Sequence, residues 1–164
     1  MRIETTRFGT VEVGEGRSIR FPEGLPGFPE AHEFLLLEHS PESPFHWLQN
    51  IEDPSLAFVV MDPLLVEARY LESIPPQALV GLGLERARDA AILSIVTIDR
   101  DNCRVTVNLM APLVIHPGTR QGRQVILMES AYTTKHEIVS WGPHSTGATG
   151  QSPSEISCRV ASSA

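Results

Sequence analysis

The sequence has no long run of apolar residues, and this absence argues against the simplest way of crossing a membrane. No window approaches the roughly 18 to 20 apolar residues that a membrane-spanning helix needs. The first residues, Met1 to Thr6, also lack the apolar segment of a secretory signal peptide. We therefore expect a cytoplasmic protein with no membrane partner.

The usual signatures of catalysis and cofactor binding are missing as well. The only two cysteines, Cys103 and Cys158, form neither a CxxC pair nor a cluster of metal ligands. There is no GxSxG motif and no phosphate-binding glycine loop, since Gly81-Leu82-Gly83 is an isolated GxG after a presumed helix. No two histidines have the i, i+3 or i, i+4 spacing of a helical metal pair: His32, His39, His46, His116, His136 and His144. We expect no enzymatic activity, no cofactor and no metal.

Lysine is scarce, and acidic residues outnumber basic ones. Lys135 is the only lysine among 13 basic residues, and the net charge is −7. Residues 1–99 hold 7 arginines against 16 acidic residues, whereas residues 100–164 hold 6 basic and 4 acidic residues. An acidic surface repels nucleic acid and suits a basic partner. The alternative is a small β-barrel that binds RNA directly, because four arginines flank the last two predicted hairpins and could form one basic patch: Arg100, Arg104, Arg120 and Arg123.

Alternating apolar and polar residues with frequent turn signals predict an all-β domain of short antiparallel strands. We expect three small strands in a meander before Phe21. The run Phe34 to Leu37 has no alternation and is too short for a helix, so it predicts a strand covered on both faces. Prolines at 75 and 76 and glycines at 81 and 83 delimit a helix of two turns.

The stretch Arg104 to Ile115 is the most unusual predicted strand. It is largely apolar but has Asn108 near its middle, and Pro112 interrupts it. Asparagine is depleted in strands and proline lacks the ladder donor, so the pattern predicts a bulge, a bend or a sheet edge. That feature is either a place where the sheet meets a partner or the bend that closes a barrel.

Two other segments stand out by composition. Three prolines and two glycines between Phe21 and Pro29 predict a rigid corner or, alternatively, a loop that contacts a partner. From about Ser140 the chain is rich in Gly, Ser, Thr and Pro with almost no bulky residues, which predicts a disordered tail. We therefore divide the chain into a domain at 1–139 and a flexible tail at 140–164.

Amide and aromatic side chains occur where an enzyme would carry catalytic ones. Trp47, Gln49, Asn50, Asn108 and Gln124 all lie in or beside predicted strands. Strand amides and tryptophan are suited to anchoring an interface, which is enriched in aromatics and poor in charge at its centre. Each is either a structural group or part of one exposed surface.

Five motifs, in order over about residues 1–139, resemble the FliW family of bacterial flagellar assembly factors. They are Gly24-Leu25-Pro26-Gly27-Phe28; Pro44-Phe45-His46-Trp47-Leu48-Gln49-Asn50 with Asp53-Pro54; Leu56-Ala57-Phe58-Val59-Val60; Val107-Asn108-Leu109-Met110-Ala111-Pro112-Leu113-Val114-Ile115; and Gly122-Arg123-Gln124-Val125-Ile126-Leu127. A single such motif would be weak, but five in order are specific.

The resemblance implies a small barrel-like β fold and a non-enzymatic cytoplasmic protein with two partners. It implies binding to flagellin and, once flagellin is exported, binding to the translational regulator CsrA. CsrA would be antagonised without occupation of its RNA-binding surface, which relieves repression of flagellin messenger RNA. Residue types and resemblance together give ten candidate partner-binding residues: Phe45, Trp47, Gln49, Asn50, Phe58, Asn108, Leu109, Ala111, Pro112 and Gln124.

Overall fold

Short strands account for most of the regular structure in residues 1–138, which are the residues that this computed structural model describes. The strands are β1 (Arg2–Thr5), β2 (Gly9–Glu12), β3 (Ile19–Arg20), β4 (Glu33–Glu38), β5 (Phe45–Asn50), β6 (Ala57–Met61), β7 (Ala91–Asp99), β8 (Arg104–Val107), β9 (Leu113–Ile115), β10 (Gly122–Gln124) and β11 (His136–Glu137). The α-helix is α1 (Pro76–Val80), and 3₁₀ turns lie at Pro63–Leu65, Tyr70–Ser73 and Ala87–Asp89. The predicted all-β class with one or two short helices is confirmed. The predicted tail at 140–164, and its boundary at 139, lie outside the described residues.

Antiparallel pairing joins most strands into one curled sheet. Its order is β10-β9-β7-β6-β5-β4-β3, and β8 also pairs with β7 and carries β11 on its other side. A single isolated parallel bridge between Arg20 and Gln121 joins the two ends of this path, and the Arg20 amide donates to the Arg120 carbonyl oxygen at 2.8 Å. The fold is therefore barrel-like, but the ladder does not close through a full pair of strands.

The first two strands form a hairpin of their own. Ile3 lies opposite Val11, and Thr6 donates its amide to the Pro54 carbonyl oxygen at 3.0 Å, which ties the hairpin to the β5–β6 loop. β3 does not continue this hairpin but pairs with β4, where Ile19 lies opposite Phe34 and is buried. The predicted three-strand meander is therefore wrong in its third strand, because burial against β4 outweighs local pairing.

The sheet separates two apolar cores, and β7 contributes to both. Ile92 and Val96 face a core shared with the segment of short helices at 63–90, whereas Leu93 and Ile95 pack against a second core inside the curl. This division follows from the period of two in a strand, which sends successive side chains to opposite faces. The sheet is therefore apolar on both faces, and the helical segment covers one of them.

The proline-rich loop after β3 is a tight corner held by backbone hydrogen bonds. Leu25 and Phe28 each donate their amide to the other's carbonyl oxygen, at 3.1 and 2.7 Å. Gly24 has φ +67°, and a Cβ atom there would lie 2.4 Å from the Pro29 carbonyl oxygen. Gly27 has φ +87°, but no atom lies within 4 Å of where its Cβ atom would be. The corner thus requires glycine twice, once for conformation alone and once for conformation and space.

This difference between the two glycines makes a stability prediction. Gly24→Ala should lower the free energy of unfolding by about 3 kcal/mol, because a left-handed conformation and a clash with fixed backbone add. Gly27→Ala is the matched control and should cost about 1 kcal/mol, from conformation alone. Urea denaturation of both variants measures the difference, and equal losses would contradict the described corner.

Candidate functional site

The side chain of Gln49 holds the loop between β5 and β6. It is fully buried, and its Nε2 donates to four carbonyl oxygens at 3.0 to 3.3 Å, those of Asn50, Asp53, Pro54 and Leu56. A primary amide has only two hydrogens, so these bonds are shared. Gln49 draws the four carbonyl groups together around one buried donor, in addition to the backbone amides that three of them already accept. Gln49 therefore serves the fold at this loop.

Asn50 completes the same loop from the other face of β5. Its Oδ1 accepts the amides of Glu52 and Asp53 at 2.9 and 2.7 Å, and its Nδ2 donates to the Glu33 carbonyl oxygen at 3.2 Å. The Ser55 hydroxyl and amide donate to the Asp53 carboxylate, and these bonds hold the pKa of Asp53 below its ordinary value. The two amides predicted as contact groups are thus engaged inside the protein.

Trp47 lies beneath the N-terminal hairpin. The Phe8 ring meets the indole edge-on with ring centroids 5.7 Å apart, and the Arg7 guanidinium lies 5.0 Å from the indole centroid. The indole Nε1 donates to Nδ1 of His39 at 3.4 Å. Only 6% of Trp47 is exposed, so the hairpin covers the aromatic residue that the sequence offered as an anchor.

The interrupted strand at 104–115 contains the predicted bulge. Val107 lies opposite Val96 and Leu113 lies opposite Leu93, so residues 108–112 face only Ser94 and Ile95. Asn108 begins the bulge, and its Oδ1 accepts the Ala111 amide at 3.0 Å. The prediction from asparagine and proline in one strand is therefore confirmed.

Other segments satisfy the remaining polar groups of the bulge. The buried Tyr70 hydroxyl donates to the Leu109 carbonyl oxygen, and burial raises the pKa of Tyr70. Nε2 of Gln124 donates to the Ala111 carbonyl oxygen at 3.0 Å, and the Thr133 carbonyl oxygen accepts the amides of Leu109 and Met110 at 3.2 Å. The bulge therefore joins three chain segments that are distant in sequence.

Most of the ten predicted contact residues lie inside the protein. The side chains with less than a tenth of their surface exposed are Phe45, Trp47, Gln49, Asn50, Leu109, Ala111 and Pro112. Those with intermediate exposure are Phe58, Asn108 and Gln124. The structure thus places these residues in β5, in β6 and around the bulge, and it leaves three of them partly exposed.

An apolar surface that the sequence did not single out surrounds Phe58. Phe28, at the tip of the proline-rich corner, meets the Phe58 ring edge-on with centroids 5.3 Å apart. Leu36 and Phe58 flank the buried Leu48 on the same face of β4, β5 and β6. Phe28 and Leu36 are both 41% exposed, so the expected covering of β4 on both faces is wrong at Leu36. We name these three residues, Phe28, Leu36 and Phe58, the apolar rim.

The four arginines of the RNA-binding alternative do not meet. Arg104 lies opposite Asp99 at one end of β7, while the turn that carries Arg120 follows Ile115 at the other end, opposite Ala91. The two ends of this nine-residue strand are about 26 Å apart at 3.3 Å per residue. Arg104 also pairs with Glu137 at 3.0 Å and Arg123 with Glu23 at 4.0 Å. The single basic patch is absent from the described residues.

Two further features are absent from residues 1–138. No group of three or more His, Cys, Asp or Glu side chains in this range is placed to hold a metal ion. No helix in this range is long and apolar enough to cross a membrane.

The described fold and site define a class: a small protein of antiparallel strands whose accessible candidate groups are apolar or amide side chains. The family model of the FliW protein matches residues 2–138. Flagellar assembly factor FliW of Natranaerobius thermophilus is 40% identical over 139 residues, which are 84% of this chain and 92% of that protein. The factor of Moorella thermoacetica is 39% identical over 140 residues, 84% of this chain and 88% of that protein.

A solved structure agrees with these relatives. The crystal structure of the flagellar assembly factor FliW superposes with a TM-score of 0.74 at 36% identity, over 84% of this chain and 96% of that one. This chain therefore belongs to the FliW family of flagellar assembly factors. The resemblance seen in the sequence motifs is confirmed, and with it a role in flagellar assembly.

The hydrogen bond from the Ala111 amide to Asn108 predicts that Asn108 stabilises the fold. Asn108→Ala should lower the free energy of unfolding by about 1 to 2 kcal/mol, because it leaves a largely buried amide without an acceptor. Asn108→Asp keeps the acceptor oxygen and should stay within about 0.5 kcal/mol of wild type. Chemical denaturation measures both, and an Asn108→Ala protein as stable as wild type would show that the bond contributes nothing.

The four carbonyl oxygens around Gln49 predict a pH-dependent defect. Gln49→Glu replaces the donor by a carboxylate that the carbonyls repel, so its folded pKa should rise above the unfolded value of about 4.3. The unfolded chain then releases this proton at lower pH than the folded chain does. Relative to wild type, stability should be least impaired below pH 4 and fall as pH rises. Thermal melts at several pH values test this, and a pH-independent difference would contradict it.

Proposed function

We propose that this protein binds flagellin and, when flagellin has been exported, binds the translational regulator CsrA. Binding relieves the repression of flagellin messenger RNA without occupying the RNA-binding surface of CsrA. This is a non-enzymatic, cytoplasmic role in which the supply of flagellin sets the amount of free antagonist. The observation that carries the proposal is the family match over residues 2–138, with all five motifs in order.

The distribution of charge supports a basic, RNA-binding partner such as CsrA. Of the 16 acidic residues in 1–99, all except Glu33 and Glu67 are exposed. Within the described residues, only four of the 16 form ion pairs with arginine: Glu12, Glu23, Glu72 and Asp89. An excess of uncompensated acidic groups attracts a basic partner over long range and raises its association rate more than its affinity.

The apolar rim supports a helical partner. The terminal segments of flagellin are amphipathic helices, which dock through apolar faces. Phe28 and Leu36 expose apolar surface, and the Phe28 ring is supported by Phe58 beneath it. An aromatic side chain that the fold holds in place is the kind of group that anchors interfaces at low entropic cost. We therefore assign the flagellin helix to the rim.

Purified components test the proposal directly. The protein should co-elute with CsrA and with flagellin of the same organism in separate mixtures. Raising the salt concentration should slow association with CsrA, because charges are screened beyond about 8 Å at 0.15 M salt. Phe28→Ala should weaken the flagellin complex roughly tenfold, as loss of an interface anchor does.

The matched control for Phe28 is Leu64→Ala, since Leu64 is 36% exposed but lies in the 3₁₀ turn after β6. It should leave both complexes unchanged. Co-elution with neither partner would refute the proposed function. An equal effect of the two variants on flagellin would refute the assignment of flagellin to the apolar rim.

A further inference from the structure

The strand that begins as β10 continues past Gln124 and borders the sheet. The amides of Val125 and Leu127 donate to the carbonyl oxygens of Pro112 and Met110 at 2.9 and 2.8 Å. In an antiparallel pair, the backbone groups of successive residues point alternately toward the partner strand and away from it. The amide and carbonyl of Ile126 therefore point outward, away from the sheet.

No residue of 1–138 pairs with this part of the edge, unlike the part before it. Among residues 1–138, neither backbone group of Ile126 forms a backbone hydrogen bond, whereas Arg20 bridges to Gln121 just before β10. The side chains of Ile126 and Met128 are 54% and 76% exposed. Proteins usually protect an open edge with lysine, proline or a bulge, and the sequence from 125 to 128 has none of the protective residues.

A groove runs beside this edge. It has a volume of about 440 Å³ and is bounded on one side by Ser73, Pro75 and Gln77 and on the other by residues 126–130. A groove of this size accommodates several side chains. Its walls are the segment at 73–77, which includes the start of α1, and the open edge itself, so an occupant would lie along the strand direction.

The charge around the groove is acidic. Glu129 is the only charged residue among the described residues that line it. Tyr132 lies next to this wall, and its pKa is raised by burial and then by the nearby charges of Glu67 and Glu72. Arg69 pairs with Glu72 at 2.8 Å and also interacts with the charge of Glu67, so it offsets part of these two charges. The charge of Glu129 in the wall itself therefore favours an occupant with a basic residue at that end.

We propose that this edge binds an extended segment of a protein partner, which adds to the sheet as a further strand. The segment has apolar side chains at alternate positions, which contact Ile126 and Met128, and a basic residue near Glu129. The inference rests on the proposed function, because it describes how one of the two protein partners is held.

The unpaired backbone groups decide between an extended segment and other occupants. A helix satisfies its own backbone, so it would leave the Ile126 amide and carbonyl unpaired under the interface. An added strand supplies a carbonyl oxygen that accepts from the Ile126 amide and an amide that donates to the Ile126 carbonyl. A second copy of this chain has the same net charge of −7, which opposes close approach.

Two substitutions of Ile126 separate side-chain from backbone binding. Ile126→Ala removes the side chain, and Ile126→Pro also removes the outward amide hydrogen without breaking a bond inside the sheet. Both variants and wild type are titrated calorimetrically with purified flagellin and with purified CsrA. For one partner, Ile126→Pro should bind roughly two- to tenfold more weakly than Ile126→Ala. Leu64→Ala is the control and should bind as wild type.

Hydrogen exchange on the wild-type protein gives a second readout that does not depend on the proline variant folding. The Ile126 amide should exchange slowly in the complex and rapidly in the free protein. The inference is overturned if folded Ile126→Pro and Ile126→Ala bind both partners with equal affinity. It is also overturned if the amide is protected in neither complex, or if self-association protects it in the free chain. If wild type binds neither partner, the proposed function fails and the inference fails with it, whereas binding without these effects refutes the inference alone.

Discussion

The polar backbone of the bulge at 108–112 is the constraint on which much of the structure depends. The five residues 108–112 lie opposite only Ser94 and Ile95 of β7, so β7 cannot pair with all of their amides and carbonyls. Each buried polar group left unpaired would cost about 1 to 3 kcal/mol. The chain supplies partners from three distant places: the Tyr70 hydroxyl, the Gln124 amide and the Thr133 carbonyl. The helical segment and the last strands are thereby tied to one point of the sheet.

The same requirement explains why so many amides of the family motifs lie inside the protein. Gln49 and Gln124 both donate to carbonyl oxygens that irregular backbone leaves without ladder partners. Strands with short, bent connections expose such carbonyls wherever pairing stops, and a side-chain amide is the neutral group that can reach them. What remains for a partner is largely apolar, namely the apolar rim and the open edge after β10.

The sequence could predict the strands, the bulge and the family, because these depend on local chemistry. Asparagine and proline in one strand dictate a break wherever the strand lies. It could not predict whether Trp47 and Gln49 face a partner or the interior, because that depends on the N-terminal hairpin folding over β5. It could not predict the exposure of Ile126 and Met128 either, because residues 125–128 are all apolar and such a run does not show which side chains face solvent.

The bulge also supports the proposed role of the open edge as a binding site. Residues 110–112 form the inner partner of residues 125–127, so the geometry of the bulge fixes the direction and register of the edge strand. A strand held on one side loses little conformational entropy when another strand adds to its free side. On this account, Asn108 and Pro112 do not contact a partner themselves. They shape the backbone against which the proposed binding edge is built, which reconciles a buried motif with the proposed function.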